Sequence, residues 1–196
     1  ELTFRRTSQV SGLLILLAAI TQSVYTLLHT TGAQVPRQLL WGTEGFLFVL
    51  LAAFAGSALV QARGQHLAWS AITAAAVLNV VQVGVGLTMF GPFFEAAGDV
   101  EGLAPAAGAV VAFSFMVYNA AKVLLALALI VFGLARRNAF GSLAALVGLV
   151  ALVANTASMA AGRDVFGDLP LAGASGVIAT VLLAVCVLTL PDSAGD

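Results

Sequence analysis

The sequence has little charge, one cysteine and two histidines. Only 9% of its 196 residues are charged, whereas a soluble domain carries about 25% Asp, Glu, Lys and Arg. The net charge of −1 provides no basic face for nucleic acid, and Cys186, as the single cysteine, has no partner for an internal disulfide. These absences exclude a water-soluble enzyme, a nucleic-acid-binding protein and a disulfide-stabilised scaffold.

Motifs that carry familiar catalytic or metal chemistry are also absent. The sequence contains no GxSxG, HExxH or CxxC motif and no Gly-rich phosphate loop followed by Lys and Ser or Thr. His29 and His66 fall near opposite ends of predicted membrane helices, so the two cannot share one haem or metal ion. We therefore predict no metal, no cofactor and no catalytic residue.

The sequence is rich in long apolar runs, since 61% of its residues are hydrophobic. A helix rises 1.5 Å per residue, so about 20 apolar residues cross a hydrocarbon core of about 30 Å. Six runs meet this requirement, near residues 10–29, 44–62, 67–90, 108–135, 139–161 and 171–190. The prediction is an all-α bundle of six transmembrane helices in a single domain that covers residues 1–196.

The charges between these spans predict an orientation. Arg5, Arg6, Arg63, Arg136 and Arg137 lie in loops on one side, against Arg37 and Arg163 on the other. Because arginine and lysine in short loops stay in the cytoplasm, both termini should be cytoplasmic. We expect a multi-pass protein of the bacterial inner membrane. The polar run 21–23 and the apolar residues after it predict that the first span is retained as a helix and not cleaved.

The loops and the span ends support two further expectations. The segment 91–106 contains Glu95, Asp99 and Glu101 without Lys or Arg, and is predicted to be a solvated acidic loop, with a weak cation site as the alternative. Trp69, Trp41 and the phenylalanines of 90–94 fall at span ends, as expected for aromatic belts at the membrane interfaces.

A few polar side chains lie inside the predicted spans, where a charged or strongly polar group costs about 2.5–3.5 kcal/mol on insertion scales. By helical rise, Lys122 lies about 21 Å and Glu44 about 28 Å from the inner side, in the outer half of the bilayer. The candidate ligand-binding residues are Gln22, Tyr25, Glu44, Asn79, Gln82, Asn119, Lys122 and Asn155.

These residues admit two interpretations. In the functional one they form a polar pocket open to the outside, in which Glu44 and Lys122 pair or bind a charged ligand. In the structural one the amides are simple bonds between helices, worth about 0.6 kcal/mol each, while Glu44 reaches the headgroups and Lys122 extends outward to them. Small residues beside Asn79 and Asn155 indicate that both amides face protein.

Three stretches resemble a family of bacterial six-helix membrane proteins of unknown function. They are RTSQVSGLLILLAA from Arg6 to Ala19, TEGFLF from Thr43 to Phe48, and the region from Tyr118 to Asn155 that contains LARRNAFGSLAALVG. The resemblance implies the six-helix layout and matches Glu44 to an acidic position of the family. It offers no counterpart for Lys122 and implies no activity.

Three functions are compatible with this sequence. The first is binding or carrying a small polar or amphipathic solute in the outer half of the bilayer, with membrane lipids and a small-molecule ligand as partners. The second is an accessory or assembly subunit that packs against a partner membrane subunit or a second copy of the chain. A membrane-embedded enzyme comes third, because Glu44 with Lys122 or His29 is the one visible acid/base combination.

Overall fold

The computed structural model is all-α and describes residues 2–100, 102–166 and 170–190. Glu101 and Asp168 of the predicted outer loops therefore lie outside the described residues. The helices are α1 (Phe4–Thr30), α2 (Arg37–Gln61), α3 (His66–Thr88), α4 (Phe90–Asp99), α5 (Ala104–Ala135), α6 (Ala139–Ala161) and α7 (Leu171–Leu188). With α3 and α4 taken together, the described residues contain six helical segments long and apolar enough to cross a membrane, which confirms the predicted layout.

Polar and special residues define several helix ends. Thr3 precedes α1 and its hydroxyl accepts a hydrogen bond from the backbone N–H of Arg6 at 3.4 Å. Asn138 caps α6 in the same way, with Oδ1 2.8 Å from the N–H of Gly141. Gly162 ends α6 at φ 63°, a left-handed conformation that glycine adopts without steric cost.

Several helices begin earlier than the apolar runs indicate. The first turns of α1, α2 and α5 lie before residues 10, 44 and 108, because polar and small residues extend each helix beyond its apolar stretch. The consequence is largest for Glu44. It lies two turns inside α2, which begins at Arg37, and not at the start of the span.

The predicted acidic loop 91–106 is wrong over most of its length. Residues Phe90–Asp99 form α4, and Pro92 lies in its first turn, where the missing N–H has no helical partner to lose. α4 packs against α3 and α5 and carries Glu95 and Asp99. The glycine, proline and acidic residues of this segment favour a loop when the sequence is considered alone. In the amphipathic helix α4 they lie on the exposed side.

The helices form a ring with one helix outside it. Around the ring, α1 contacts α2, α2 contacts α3, and α3 contacts α5. The ring closes because α5 contacts α7 and α7 contacts α1. α6 packs on the outside against α5 and α7. As a result α1, α2, α5 and α7 all direct side chains into one interior.

Aromatic and arginine contacts identify the two ends of the bundle. At the arginine end, Trp69 packs edge-on between Phe4 and Phe132, with ring centroids 5.9 and 5.6 Å away. Arg136 at this end donates to the backbone oxygen of Cys186 at 2.7 Å and to the hydroxyl of Thr189 at 2.6 Å. The start of α1 and the end of α7 therefore lie at the same end.

The opposite end, here called the pocket end, contains Tyr25, Trp41 and Phe90. The ring centroids of Trp41 lie 5.4 Å from Tyr25 and 5.8 Å from Phe90. Trp41 is buried here, and Trp69 is buried at the other end with 0% exposure. Both tryptophans lie near an end of the bundle, as expected, but each packs inside the protein, so neither ring forms an exposed aromatic belt.

Small residues allow α5 and α6 to approach closely. A methyl group added to Gly148 of α6 would lie 2.8 Å from Ile130 Cγ1 and 3.0 Å from the backbone oxygen of Ala126, both on α5. Ala151, Asn155 and Ser158 continue the buried stripe along α6. This confirms that the small residues and the amide of Asn155 face protein.

Candidate ligand-binding pocket

A cavity of about 350 Å³ lies at the pocket end between α1, α2, α3, α5 and the start of α4. Its walls combine polar side chains with aromatic rings. They are formed by Gln22, Tyr25, Thr26, Trp41, Glu44, Gln82, Phe90, Val111, Ser114, Phe115 and Tyr118. The volume lies at the small end of the range of about 300–1,000 Å³ found for small-molecule sites.

Glu44 and Gln22 meet at the base of this cavity. The Gln22 side-chain amide donates to Glu44 Oε1 at 2.7 Å, and both residues are buried. A carboxylate taken out of water requires such a donor, because an unpaired buried charge costs several kcal/mol. The contact brings the middle of α1 against the second turn of α2.

Lys122 of α5 bonds to the oxygen of the same Gln22 side-chain amide. Its ammonium donates to Gln22 Oε1 at 2.5 Å and to the hydroxyl of Thr180 on α7 at 3.2 Å. Lys122 is 1% exposed, and its Nζ lies 5.3 Å from the centroid of the Tyr118 ring. It therefore has an acceptor on either side and an aromatic face nearby.

The four side chains form one hydrogen-bonded chain, here called the polar chain: Glu44, Gln22, Lys122 and Thr180. Thr180 completes it by donating to the backbone oxygen of Gly176 at 2.7 Å. The amide of Gln22 can serve both charges because it accepts through oxygen and donates through nitrogen. Instead of the expected direct pairing of Glu44 with Lys122, the structure shows Gln22 between the two.

The structural alternatives for the two charged residues do not describe this arrangement. Glu44 is 5% exposed and bonded to α1, so it does not extend toward headgroups from the helix start. Lys122 points into the bundle toward α1 and α7, so it does not extend outward. Both charges are held inside the protein.

Other predicted residues are divided between the cavity and the packing around it. Tyr25 lines the cavity and stacks on His29 with ring centroids 6.0 Å apart. Gln82 lines it too, and its amide donates to the hydroxyl of Ser114 at 3.4 Å. Four of the eight predicted residues, Gln22, Tyr25, Glu44 and Gln82, thus form its walls, and Lys122 lies behind Gln22.

The three asparagines lie outside the cavity walls. Asn79 and Asn119 each donate to a backbone oxygen of their own helix, at Ala75 and Phe115 respectively. Asn155 donates to Ala151 on its own helix at 2.8 Å and to Ala172 of α7 at 3.1 Å. The interpretation of Asn155 as an interhelical bond is confirmed, and it fixes α6 to α7.

Several wall residues were not among the candidates. Thr180, which bonds to Lys122 and lies outside the cavity wall, was also not a candidate, because a lone threonine in an apolar run is common. Three further wall residues lie on the same face of α5 as Lys122. Tyr118 lies one turn before Lys122, and Phe115 and Ser114 lie two turns before it. Helical spacing from Lys122 is the signal by which these three could have been found.

The polar groups of the cavity wall are few. Aromatic rings surround one carboxylate and two amides, and no nucleophile lies beside a free base among the wall residues described. In the part of the chain that the structure describes, no three His, Cys, Asp or Glu side chains are grouped so that they could hold a metal ion.

Comparison with known proteins adds no assignment. At a significant level the chain matches no protein-family model, no curated protein and no solved structure.

Proposed function

We propose that this protein binds or carries a small polar or amphipathic solute in the cavity at the pocket end. The observation that carries the proposal is the coincidence of the cavity with Glu44 and Gln22, which a hydrogen bond holds in its wall. Preformed cavities with a mostly apolar lining and a few fixed polar groups are typical of small-molecule sites.

A purely structural role for the polar chain explains less. A hydrogen-bonded chain that only joins helices needs no open space beside it. Here a space of about 350 Å³ remains on the Glu44 side. A solute in that space would contact the Glu44 carboxylate and the surrounding rings.

The proposed setting is the bacterial inner membrane, with the pocket end toward the periplasm. The arginines at the opposite end support this orientation through the positive-inside rule. In this orientation a solute would enter from outside. The protein would then act as a binding protein, as a carrier, or as a substrate-capturing subunit beside a separate motor.

The alternative of an accessory subunit receives no support from the small-residue stripe that first indicated it. Gly148, Ala151 and Ser158 are buried within the chain, where α6 contacts α5 and α7. These residues are therefore occupied by internal packing and do not form a surface for a partner helix.

A pair of matched substitutions tests the proposal. Val111 lines the cavity, whereas Val77 on α3 is 50% exposed on the outer surface. Val111→Trp should fill the cavity, and Val77→Trp should leave it open. The purified wild type and both variants are heated in detergent with a panel of small metabolites, and stabilisation is read as a shift of the unfolding midpoint.

We expect at least one solute to stabilise the wild type and the Val77→Trp variant but not the Val111→Trp variant. A ligand at 100 times its Kd stabilises the folded state by about 2.7 kcal/mol, which is readily measured. Equal stabilisation of all three proteins, or of none of them by any solute in the panel, would contradict the proposal.

A further inference from the structure

We infer that the solute bound in the cavity is a small organic cation, an inference that rests on the proposed function. The juxtaposition that carries it is a buried carboxylate and five aromatic side chains around one space. The aromatic members are Tyr25, Trp41, Phe90, Phe115 and Tyr118.

The charge on the cavity wall is negative. Among the wall residues that the structure describes, Glu44 is the one with a formal charge. Lys122 compensates that charge in the bundle as a whole, but it is 1% exposed and is separated from the cavity by Gln22. A solute would therefore meet the carboxylate and not the ammonium.

The aromatic rings strengthen the preference for a cation. The face of an aromatic ring attracts positive charge through its quadrupole, most strongly where water is excluded. Two of the rings already hold a cation of the protein: the Arg37 guanidinium lies 5.3 Å from the Trp41 centroid, and Lys122 Nζ lies 5.3 Å from that of Tyr118. Each of these contacts lies within a single helix, so the carboxylate and the rings that line the cavity carry the preference for a solute cation.

An anion would find no cationic side chain among the wall residues that the structure describes, and part of the neutral donor capacity of the wall is already used. The amide of Gln22 donates to Glu44, and the amide of Gln82 donates to Ser114. The hydroxyl of Thr26 donates to a backbone oxygen of its own helix at 2.9 Å. Arg37 lines a separate depression with Val35 and Gln38, so its charge is not part of the cavity wall.

The test uses three probes of one shape and different charge. They are choline, its neutral carbon analogue 3,3-dimethylbutan-1-ol, and the anion 3,3-dimethylbutanoate. Binding to the full chain in detergent is measured by isothermal titration calorimetry. We expect choline to bind at least about tenfold more tightly than the neutral analogue, the ratio expected from a desolvated cation–π contact alone, and the anion to bind most weakly.

Matched variants locate the source of this preference. Phe115→Leu keeps an apolar wall but removes a ring, whereas Phe113→Leu removes an exposed ring on the same helix. Phe115→Leu should weaken choline several-fold and leave the neutral analogue nearly unchanged, and Phe113→Leu should change neither. The double variant Glu44→Gln with Lys122→Met leaves no uncompensated charge and keeps the rings, so it should reduce the choline preference to the roughly tenfold ratio that the rings alone supply.

The outcomes separate this inference from the function on which it rests. If the neutral analogue or the anion binds as tightly as choline, and Val111→Trp abolishes that binding, the cavity is a solute site and the inference of a cation is wrong. If no probe binds and no solute of the wider panel stabilises the wild type, both are wrong. A choline preference that is unchanged both in the double variant and in Phe115→Leu would also overturn the inference.

Discussion

Gln22 is the residue whose role differs most between the sequence and the structure. Depth along the helices indicates that Glu44 and Lys122 lie at similar levels, but depth cannot show that a third side chain lies between them. The amide of Gln22 satisfies both charges, through bonds of 2.7 and 2.5 Å. Which helix inserts between two others depends on the ring arrangement, which periodicity within single helices does not encode.

The polar chain predicts energetic coupling between Glu44 and Lys122. Removing one partner of a buried charge pair leaves the other uncompensated and costs about 3–5 kcal/mol. Lys122→Met and Glu44→Gln should each lower the free energy of unfolding on this scale, and the double variant should lose clearly less than the two single losses together. The measurement is a double-mutant cycle on unfolding in mixed detergent and SDS micelles. Additive losses would show that the two residues do not act together.

Gln22 itself should be required for stability. Gln22→Leu removes an acceptor from Lys122 and a donor from Glu44, and should cost about 1–3 kcal/mol for the groups left unpaired. Gln61→Leu is the control. Its amide donates to Ser57 in an exposed contact at 2.8 Å and to Thr7 in a long, part-buried contact at 3.5 Å, so its loss should cost less than about 1 kcal/mol. The same unfolding assay compares the two variants. A loss for Gln22→Leu no larger than for Gln61→Leu would mean that solvent replaces its bonds.

At the scale of the helices, composition predicts the spans well and their beginnings poorly. Long apolar runs are sufficient to locate six spans, because backbone groups in lipid must be bonded within a helix. Where α1 and α2 begin depends instead on Thr3 and on Pro36, which precede the apolar runs. α4 could not be predicted from its glycines and acidic residues because contacts with α3 and α5 stabilise it.

The close contact of α5 with α6 provides a prediction at this scale. Gly148→Leu should lower the free energy of unfolding by about 1–3 kcal/mol, because the added side chain meets Ile130 and the backbone of Ala126. Gly84→Leu on α3 is the matched control, since a Cβ there has nothing within 4 Å. The control should be neutral or slightly stabilising through better helix propensity. Equal losses in the two variants would place the Gly148 face in lipid.

In the molecule as a whole, the start of α1 and the end of α7 lie at the arginine end, as an even number of spans requires. The sequence predicts this, and it predicts that polar residues in the outer half face protein. It does not predict that α1, α2, α3 and α5 enclose a cavity. A cavity depends on how side chains from different helices pack together, and the sequence of each helix does not show this. Val111 and Phe115 illustrate the difficulty, since each is an ordinary apolar residue of a span.

The orientation of the whole molecule can be tested with two glycines. Gly64 lies between α2 and α3 and Gly98 in the last turn of α4, and a Cβ on either has nothing within 4 Å. Gly98→Cys should react with a membrane-impermeant maleimide in intact cells, and Gly64→Cys only after lysis. Cys186 is buried and should not contribute to labelling. Labelling of Gly64→Cys from outside would reverse the orientation and direct the pocket end to the cytoplasm.

The central claim is that the space beside Glu44 is a solute site. The measurement that tests it most directly is a crystal structure of the protein grown in a lipid mesophase after purification from its membrane. We predict that the space of about 350 Å³ persists, and that it contains density for a non-protein molecule in contact with Glu44 and the surrounding rings. A structure in which Phe90, Phe115 and Tyr118 close on one another and fill the space would contradict the claim.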